Sequence, residues 1–240
     1  TIELFELVDL VVATGAQYNI KKAIETGTPT LGVGVGNVPS IVDASANLAD
    51  AANKIKISKT FDNATSCSSE NSVIIIRSVY KKFMSYLEKE GGILLDSDEK
   101  KILAKNMWDK NSFLNRDLIA KEASKIASVI GLKNKKYQKT SFLMVREKGV
   151  GPKYPFSAEK LSPVLTVYKV NNFSHALKLA KKILKFQGQG HSCSIHSKNK
   201  SNILKIGKEL PISRVIVNQI HSFATGGSFD NGLPFSLSMG

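Results

Sequence analysis

The order of its apolar runs constrains this chain most. From residue 140 onward, alternating strand-like and amphipathic helix-like segments take turns: strands at 141–146, 163–170, 191–197 and 214–218, helices at 173–186 and 201–209. The same alternation opens the chain. Residues 7–15 read as a buried strand, residues 17–27 as a short helix ending at Gly27, and Thr28-Pro29-Thr30-Leu31-Gly32-Val33 starts a second strand. Strands joined through a helix by short connections run parallel, so the pattern predicts an α/β fold, a mostly parallel sheet flanked by helices.

Between these ends, Leu48, Ala51, Ala52, Ile55 and Lys59 fall near helical spacing within residues 45–60. A strand is predicted at 72–77 and a helix marked by Val79, Phe83, Tyr86 and Leu87, stopped by Gly91-Gly92. Helices near 97–109 and 116–130 follow, with Gly131 as the residue past the second one's end. At 240 residues and 42% hydrophobic, the chain can bury a substantial core. Met107 and Trp108 read as part of that core or of an interface.

The net charge of +14 suits anionic partners. Yet only four of the 34 basic residues are arginine (Arg77, Arg116, Arg146 and Arg214), and arginine is the usual fork-shaped reader of bases and phosphates. The lysines are scattered, with one dense run at 133–139, and no nucleic-acid-binding motif occurs. The excess charge reads as a solvated lysine-rich surface that also suits phosphorylated ligands, with no nucleic-acid partner. No apolar run approaches the roughly 20 residues of a membrane span. The first residues carry no basic leader followed by an apolar stretch. Cys67 and Cys193 are too few for a disulfide scaffold. A reduced, cytoplasmic protein with no membrane partner is the expectation.

Gly32-Val33-Gly34-Val35-Gly36-Asn37-Val38-Pro39 invites comparison with a dinucleotide fingerprint, but the spacing fails. From Gly32 the third glycine would have to stand at Asn37, and from Gly34 at Pro39. The segment reads instead as extended and glycine-lined, so that a ligand can approach Gly34 and Gly36 closely. Asn37 is either a polar contact for that ligand or a self-satisfied turn residue.

Cys67 is the candidate nucleophile. It sits among small polar residues, Asn63-Ala64-Thr65-Ser66-Cys67-Ser68-Ser69-Glu70-Asn71-Ser72, between a helix-like segment and the β-branched run Val73-Ile74-Ile75-Ile76. A tight turn there holds a sulfur where backbone N–H groups can face a developing oxyanion. The alternative is a buried thiol serving as a small hydrophobe, and that is the reading for Cys193 on its alternating strand. Of the four histidines, His175 lies on an amphipathic helix and reads as surface; His191 and His196 lack metal-ligand spacing, so no metal is expected.

The segment from Phe61 to Ser72 resembles the nucleophile segment of the aldehyde dehydrogenase superfamily, and most closely its CoA-acylating branch. Three more strings match in order. These are Asp9-Leu10-Val11-Val12-Ala13-Thr14-Gly15, Glu159-Lys160-Leu161-Ser162-Pro163-Val164-Leu165, and Gly226-Gly227-Ser228-Phe229-Asp230-Asn231-Gly232-Leu233-Pro234. The resemblance covers essentially the whole chain. It implies the catalytic portion of such an enzyme, with residues 1–36 the last β-α-β part of a dinucleotide-binding domain and 37–240 the catalytic domain. The earlier β-α-β units, the asparagine of the oxyanion hole and the strands that build dimers are expected outside this sequence. A homodimer or homotetramer is the implied state of the full-length protein.

The resemblance also implies roles. Cys67 attacks the aldehyde, a hydride passes to NAD or NADP, and the thioester left on sulfur is taken by coenzyme A as co-substrate. Thr14 and Gly15 line the dinucleotide cleft, Glu159 holds the nicotinamide ribose, and Leu161 packs on the nicotinamide. Aligned without gaps through Pro39 and Cys67, Val33 stands where hydrolytic members carry their general-base glutamate. Valine takes no proton, which favours acyl transfer over hydrolysis. The loop Asn218-Gln219-Ile220-His221-Ser222-Phe223-Ala224-Thr225-Gly226-Gly227-Ser228 and the segment from Asn63 to Ser72 together resemble the sulfoacetaldehyde-oxidising group of the branch. Ser66, Ser68, His221 and Thr225 are the implied substrate contacts, with Ser228 and Arg214 beside them. A sulfonate tail needs donors and positive charge. Other readings are an acetaldehyde or other short-chain acylating enzyme, or an inactive fragment that only binds or assembles.

Overall fold

The structure is a computed structural model and describes residues 2–15 and 17–227. A short helix α1 (Ile2–Glu6) leads into strand β1 (Val11–Thr14), helix α2 (Gln17–Glu25) and strand β2 (Thr30–Val33). β1 and β2 pair parallel as a two-stranded sheet of their own. The remaining strands are β3 (Val38–Val42), β4 (Glu70–Ile76), β5 (Gly92–Leu94), β6 (Phe142–Arg146), β7 (Val164–Val170), β8 (Gly190–His196) and β9 (Ile212–Val217). They form one sheet in the order β5-β6-β7-β4-β3-β8-β9, and every neighbouring pair is parallel. The parallel α/β architecture expected from the alternation is the one observed.

Helices α3 (Leu48–Thr60), α4 (Tyr80–Lys89), α5 (Ser97–Met107), α6 (Ala123–Val129), α7 (Phe173–Phe186), α8 (Lys200–Glu209) and α9 (His221–Thr225) complete the described fold. Their starts are chemically marked. Asn47, Asn172 and Asn199 each accept a backbone N–H of the first turn of α3, α7 and α8, and Asp96 opens α5 with a full capping box to Glu99.

Parallel strands covered by helices are buried on both faces, and β4 is buried at all seven positions. Its side chains alternate between two cores. Val73 and Ile75 pack with Ala52 and Ile55 of α3 and Phe83 and Leu87 of α4. Ile74 points the other way, into a cluster with Ala176, Ala180 and Ile183 of α7 and Ile195 of β8. A third cluster, with Leu103, Met107, Ile126 and Phe156, covers β6 and takes in Trp108, whose ring meets Phe156 edge-on at 5.1 Å.

Several elements differ from the sequence reading. The buried strand read at 7–15 is shorter, Val11–Thr14, with Val12 exposed, and the unexpected helix α1 and a turn precede it. β3 is a central strand where only an extended segment was expected. Pro39 sits beside a register shift at Val38/Pro39, at the start of the strand, where its missing N–H is tolerated. β5 is an unexpected three-residue edge strand that begins on Gly92, the second of the two glycines that follow α4. The helix expected from residue 116 begins only at Ala123. The side chains of Asp109 and Asn115 accept N–H groups two and four residues on, so the chain turns there instead. α9 occupies part of the loop expected after β9.

Ile74→Ala empties a fully buried site in the central strand and should cost about 2–5 kcal/mol. Urea unfolding should show the midpoint falling with an unchanged slope.

Candidate active site

Four neighbouring strands of the large sheet, β7, β4, β3 and β8, begin at one edge. The segments that feed them carry the candidate residues: 159–161 before β7, 66–68 before β4, 34–37 before β3, and Gln187 and Gly188 before β8. The site therefore lies at the amino ends of parallel strands, opposite to the carboxyl-end crevice usual in open α/β sheets.

The nucleophile turn is built by unusual backbone. After α3, a single 3-10 turn at Phe61–Ala64 carries three consecutive left-handed residues, Asp62 (φ 47°), Asn63 (φ 49°) and Ala64 (φ 60°). Aspartate and asparagine tolerate that region through local hydrogen bonds; alanine pays a steric cost. Thr65 Oγ1 bonds back to Asp62 Oδ2 at 2.7 Å, and the Asn63 side chain reaches the Ala120 carbonyl at 3.3 Å. The chain then reverses through Ser66-Cys67-Ser68-Ser69. Ser69 N–H donates to the Ser66 carbonyl at 3.0 Å, and the Ser66 and Ser68 hydroxyls meet at 2.7 Å.

Cys67 ends up half-buried. Burial pushes its thiol above the ordinary range, and the negative charge of Glu159 pushes it the same way. Its own N–H, the Ser68 N–H and Arg214 oppose this by favouring the thiolate. Donors that favour a charged sulfur are also placed for charge developing on an oxygen beside it.

Gly36 shows why a glycine stands there. A Cβ added to it would lie 2.1 Å from the Cys67 carbonyl oxygen and 2.7 Å from the Cys67 Cβ. Its backbone therefore lies directly against the nucleophile. Its N–H donates to Glu159 Oε1 at 3.0 Å, and its carbonyl accepts from the Asn71 side chain at 3.4 Å. Asn71 in turn accepts the Lys160 N–H at 3.0 Å. Asn37 is fully buried, and its amide donates to the Ser157 carbonyl at 2.8 Å. Glu159 N–H is held by the Gln187 side chain at 3.0 Å. The structure thus brings Cys67, Gly36 and Glu159 together.

The other expected residues are placed as follows. Leu161 follows Glu159 with a left-handed backbone (φ 44°), and its carbonyl accepts the Ala120 N–H at 3.1 Å. Thr14 and Gly15 lie exposed at the end of β1 in the small sheet, where Gly15 N–H donates to the Val33 carbonyl at 3.2 Å. Gly34 lies in the link between β2 and β3. His221 and Thr225 are buried on α9, and Arg214 donates to the Thr225 carbonyl at 3.0 Å. His221 Nε2 meets Ser192 Oγ at 2.9 Å, and Ser192 also meets His191 Nδ1 at 2.7 Å. Burial drives the His221 imidazole down to about 3, so it is neutral near pH 7. Positive charge on this side comes from Arg214 rather than from His221. Ser228 lies outside the described residues.

Sequence reading missed the buried charges around the site: Lys59, Glu70 and Lys160, all essentially without exposure. The one signal was Lys59 itself, a lysine at the helical spacing of an apolar face. Among the described residues no group of three histidine, cysteine, aspartate or glutamate side chains is placed to hold a metal ion, and no helix is long and apolar enough to cross a membrane.

This architecture is the α/β fold of the acylating aldehyde dehydrogenases. The structure of an acetylating aldehyde dehydrogenase from Geobacillus thermoglucosidasius matches with a TM-score of 0.88 at 35% identity, over 92% of this chain and 49% of that one. More particularly, the chain is 52% identical over all 240 residues to a protein of Cupriavidus necator named sulfoacetaldehyde dehydrogenase (acylating), covering 48% of it. A sulfoacetaldehyde dehydrogenase of an Acholeplasma species is 41% identical over 244 aligned residues, which cover this whole chain and 50% of that protein. The chain spans about half the length of the curated relatives it matches. No protein-family model matches it.

Two outcomes test the geometry. Gly36→Ala should displace the Cys67 turn, so the rate of Cys67 modification by a thiol reagent should change severalfold or more, read by mass spectrometry. In the native chain that rate should keep rising with pH beyond about 8.5, the ordinary cysteine midpoint, because burial and Glu159 hold the thiol protonated.

Proposed function

We propose that this chain is the catalytic portion of a CoA-acylating aldehyde dehydrogenase whose aldehyde is 2-sulfoacetaldehyde. The observation that carries this is the packing of Gly36 and Glu159 against a half-buried Cys67 flanked by backbone donors. The names of its relatives support the substrate.

In this reading the Cys67 thiolate adds to the aldehyde carbon, and the Cys67 N–H steadies the resulting oxyanion. The nicotinamide dinucleotide, NAD or NADP, supplies the hydride acceptor. Loss of hydride leaves a thioester on Cys67. The thiolate of coenzyme A then attacks that thioester, the Cys67–acyl bond breaks, and acyl-CoA leaves with Cys67 restored as a thiolate.

The residues present fit a dinucleotide. Glu159 Oε1 is engaged by Gly36 N–H, while the carboxylate is only partly covered, which leaves its second oxygen for a ribose hydroxyl. Gly36 presents bare backbone beside the nucleophile, and Leu161 supplies an apolar surface next to Glu159. Thr14, Gly15 and Gly34 extend the same binding path, with residues 1–36 as the end of the dinucleotide-binding domain and 37–240 as the catalytic domain. Ser66, Ser68 and Thr225 contribute polar groups toward the substrate, and Arg214 contributes charge for a sulfonate. His221 backs this group as a neutral partner of Ser192. Val33, at the end of β2, offers no base for water, so the thioester persists until coenzyme A arrives. No metal takes part, the protein works in the cytoplasm, and it assembles as a dimer or tetramer.

A second reading has support of its own. The Geobacillus protein is named an acetylating aldehyde dehydrogenase, so acetaldehyde or another short-chain aldehyde is the competing substrate. The test is nicotinamide reduction dependent on both aldehyde and coenzyme A, in the protein that carries this chain. Sulfoacetaldehyde should give kcat/KM at least about tenfold above acetaldehyde, a difference of about 1.4 kcal/mol. Cys67→Ala should abolish turnover. Equal or better turnover of acetaldehyde would hand the site to the second reading.

A further inference from the structure

The outward face of α7 carries Lys178, Lys181, Lys182 and Lys185, all exposed, and the helix holds no acidic residue. Among the described residues none of the four lysines forms an ion pair. Against Lys182 and Lys185 lies a cavity of about 480 Å³, whose other wall is the segment that leaves β6. Lys148 of that segment adds a third ammonium, and Tyr154 and Phe186 add two half-buried aromatic rings. Val150 and Leu179 line it too, and both pack against the core cluster beneath α7. Glu147, the acid next to Lys148, is buried and paired with Lys100 at 3.0 Å. Short contacts fix the wall. Tyr154 packs its ring on Gly149, where an added Cβ would lie 2.3 Å from the ring. The Gly149 carbonyl accepts the Tyr168 hydroxyl at 3.0 Å. Gly151 turns with φ 111°, a backbone that suits glycine, and its N–H donates to the buried Ser157 Oγ at 3.0 Å.

We propose that this cavity binds a nucleoside phosphate, with the base against Tyr154 and Phe186 and the phosphates among Lys148, Lys182 and Lys185. Its volume lies within the roughly 300–1,000 Å³ of small-molecule sites. Flat bases stack on aromatic rings, and lysine ammonium groups attract phosphate as point charges. A purely apolar ligand would leave three cations without a counter-ion. A bare phosphate would leave the two rings and the apolar lining unused. The cavity shares no lining residue with the group around Cys67. It is joined to that group through two neighbours. Phe186 precedes Gln187, whose side chain holds the Glu159 N–H at 3.0 Å, and Ser157, which holds Gly151, gives its carbonyl to Asn37 at 2.8 Å. The same chemistry belongs to a free nucleotide and to the nucleotide end of coenzyme A.

The test is a calorimetric titration of ADP into the protein that carries this chain, with NAD and NADP both in excess so that a dinucleotide site is already filled. It needs neither turnover nor Cys67, so its failure and that of the dehydrogenase reading are distinguishable. ADP should bind under these conditions. Lys182→Glu combined with Lys185→Glu should weaken it by about tenfold or more. Both positions are exposed on a helix surface, so the fold should be kept, as a thermal melt will check. Lys178→Glu, on the same helix but outside the cavity, should change binding by less than about twofold, because it acts only through the screened field. Adenosine and inorganic pyrophosphate should each bind about tenfold or more weakly than ADP, since each lacks half of the ligand. Coenzyme A that displaces ADP makes the occupant its nucleotide end; coenzyme A that leaves ADP bound makes it a free nucleotide. The proposal is overturned if ADP does not bind once NAD and NADP are in excess, or if the double variant binds it as the native protein does. It is overturned too if Lys178→Glu weakens binding as much as the double variant, or if pyrophosphate binds as tightly as ADP.

Discussion

The contact between Gly36 and Cys67 is the constraint on which the site depends. A hydrogen in place of a Cβ lets the segment entering β3 lie against the nucleophile turn entering β4. The register shift between β3 and β4 falls at the same place, at Val38/Pro39. With Gly36 fixed there, its N–H reaches Glu159 and its carbonyl reaches Asn71, and Asn71 takes the N–H of Lys160. Three segments far apart in sequence are stitched together by hydrogen bonds that each join a backbone group to a buried or half-buried side chain, which favours a preorganised site.

Charge around this site is arranged against easy ionisation. Burial and Glu159 both hold the Cys67 thiol protonated, and Arg214 with two backbone N–H groups pulls the other way. A thiol held protonated in this way is less open to oxidants and stray electrophiles than a thiolate. Glu70, raised to about 7 by burial, adds a carboxyl that is largely neutral at mildly acid pH. Its raised value means that its protonated form is the one folding tolerates. Stability linked to Glu70 is thus fully present below its ordinary range and declines as pH rises through about 7.

The layered fold was legible because periodicity and burial agree. The helix read at 173–186 is observed as Phe173–Phe186, with a wholly apolar inner face of Ala176, Leu177, Ala180, Ile183 and Leu184. β3 was hidden because Pro39 and the glycines before it break the strand signature, while its burial comes only from neighbours on both sides. Residues 116–122 carry helical spacing, yet side chains upstream capture the backbone first. Cys67 could be found from its polar turn and its resemblance. Lys59 was signalled only by its place on an apolar helical face, and Lys160 by nothing, because composition treats lysine as surface and only the fold shows which lysine has lost its water.

The amino ends of β7, β4, β3 and β8 carry the chemistry, so the opposite edge of the sheet is free of it. There the strands run into helices through short turns capped by Asn47, Asn172 and Asn199. Work done at that edge, whether a stronger cap, a proline in a turn or a graft onto a surface helix, is separated from Cys67 by the length of the strands. The molecule thus offers an engineer a handle for durability that leaves reactivity alone, a separation that enzymes with both functions at one edge do not provide.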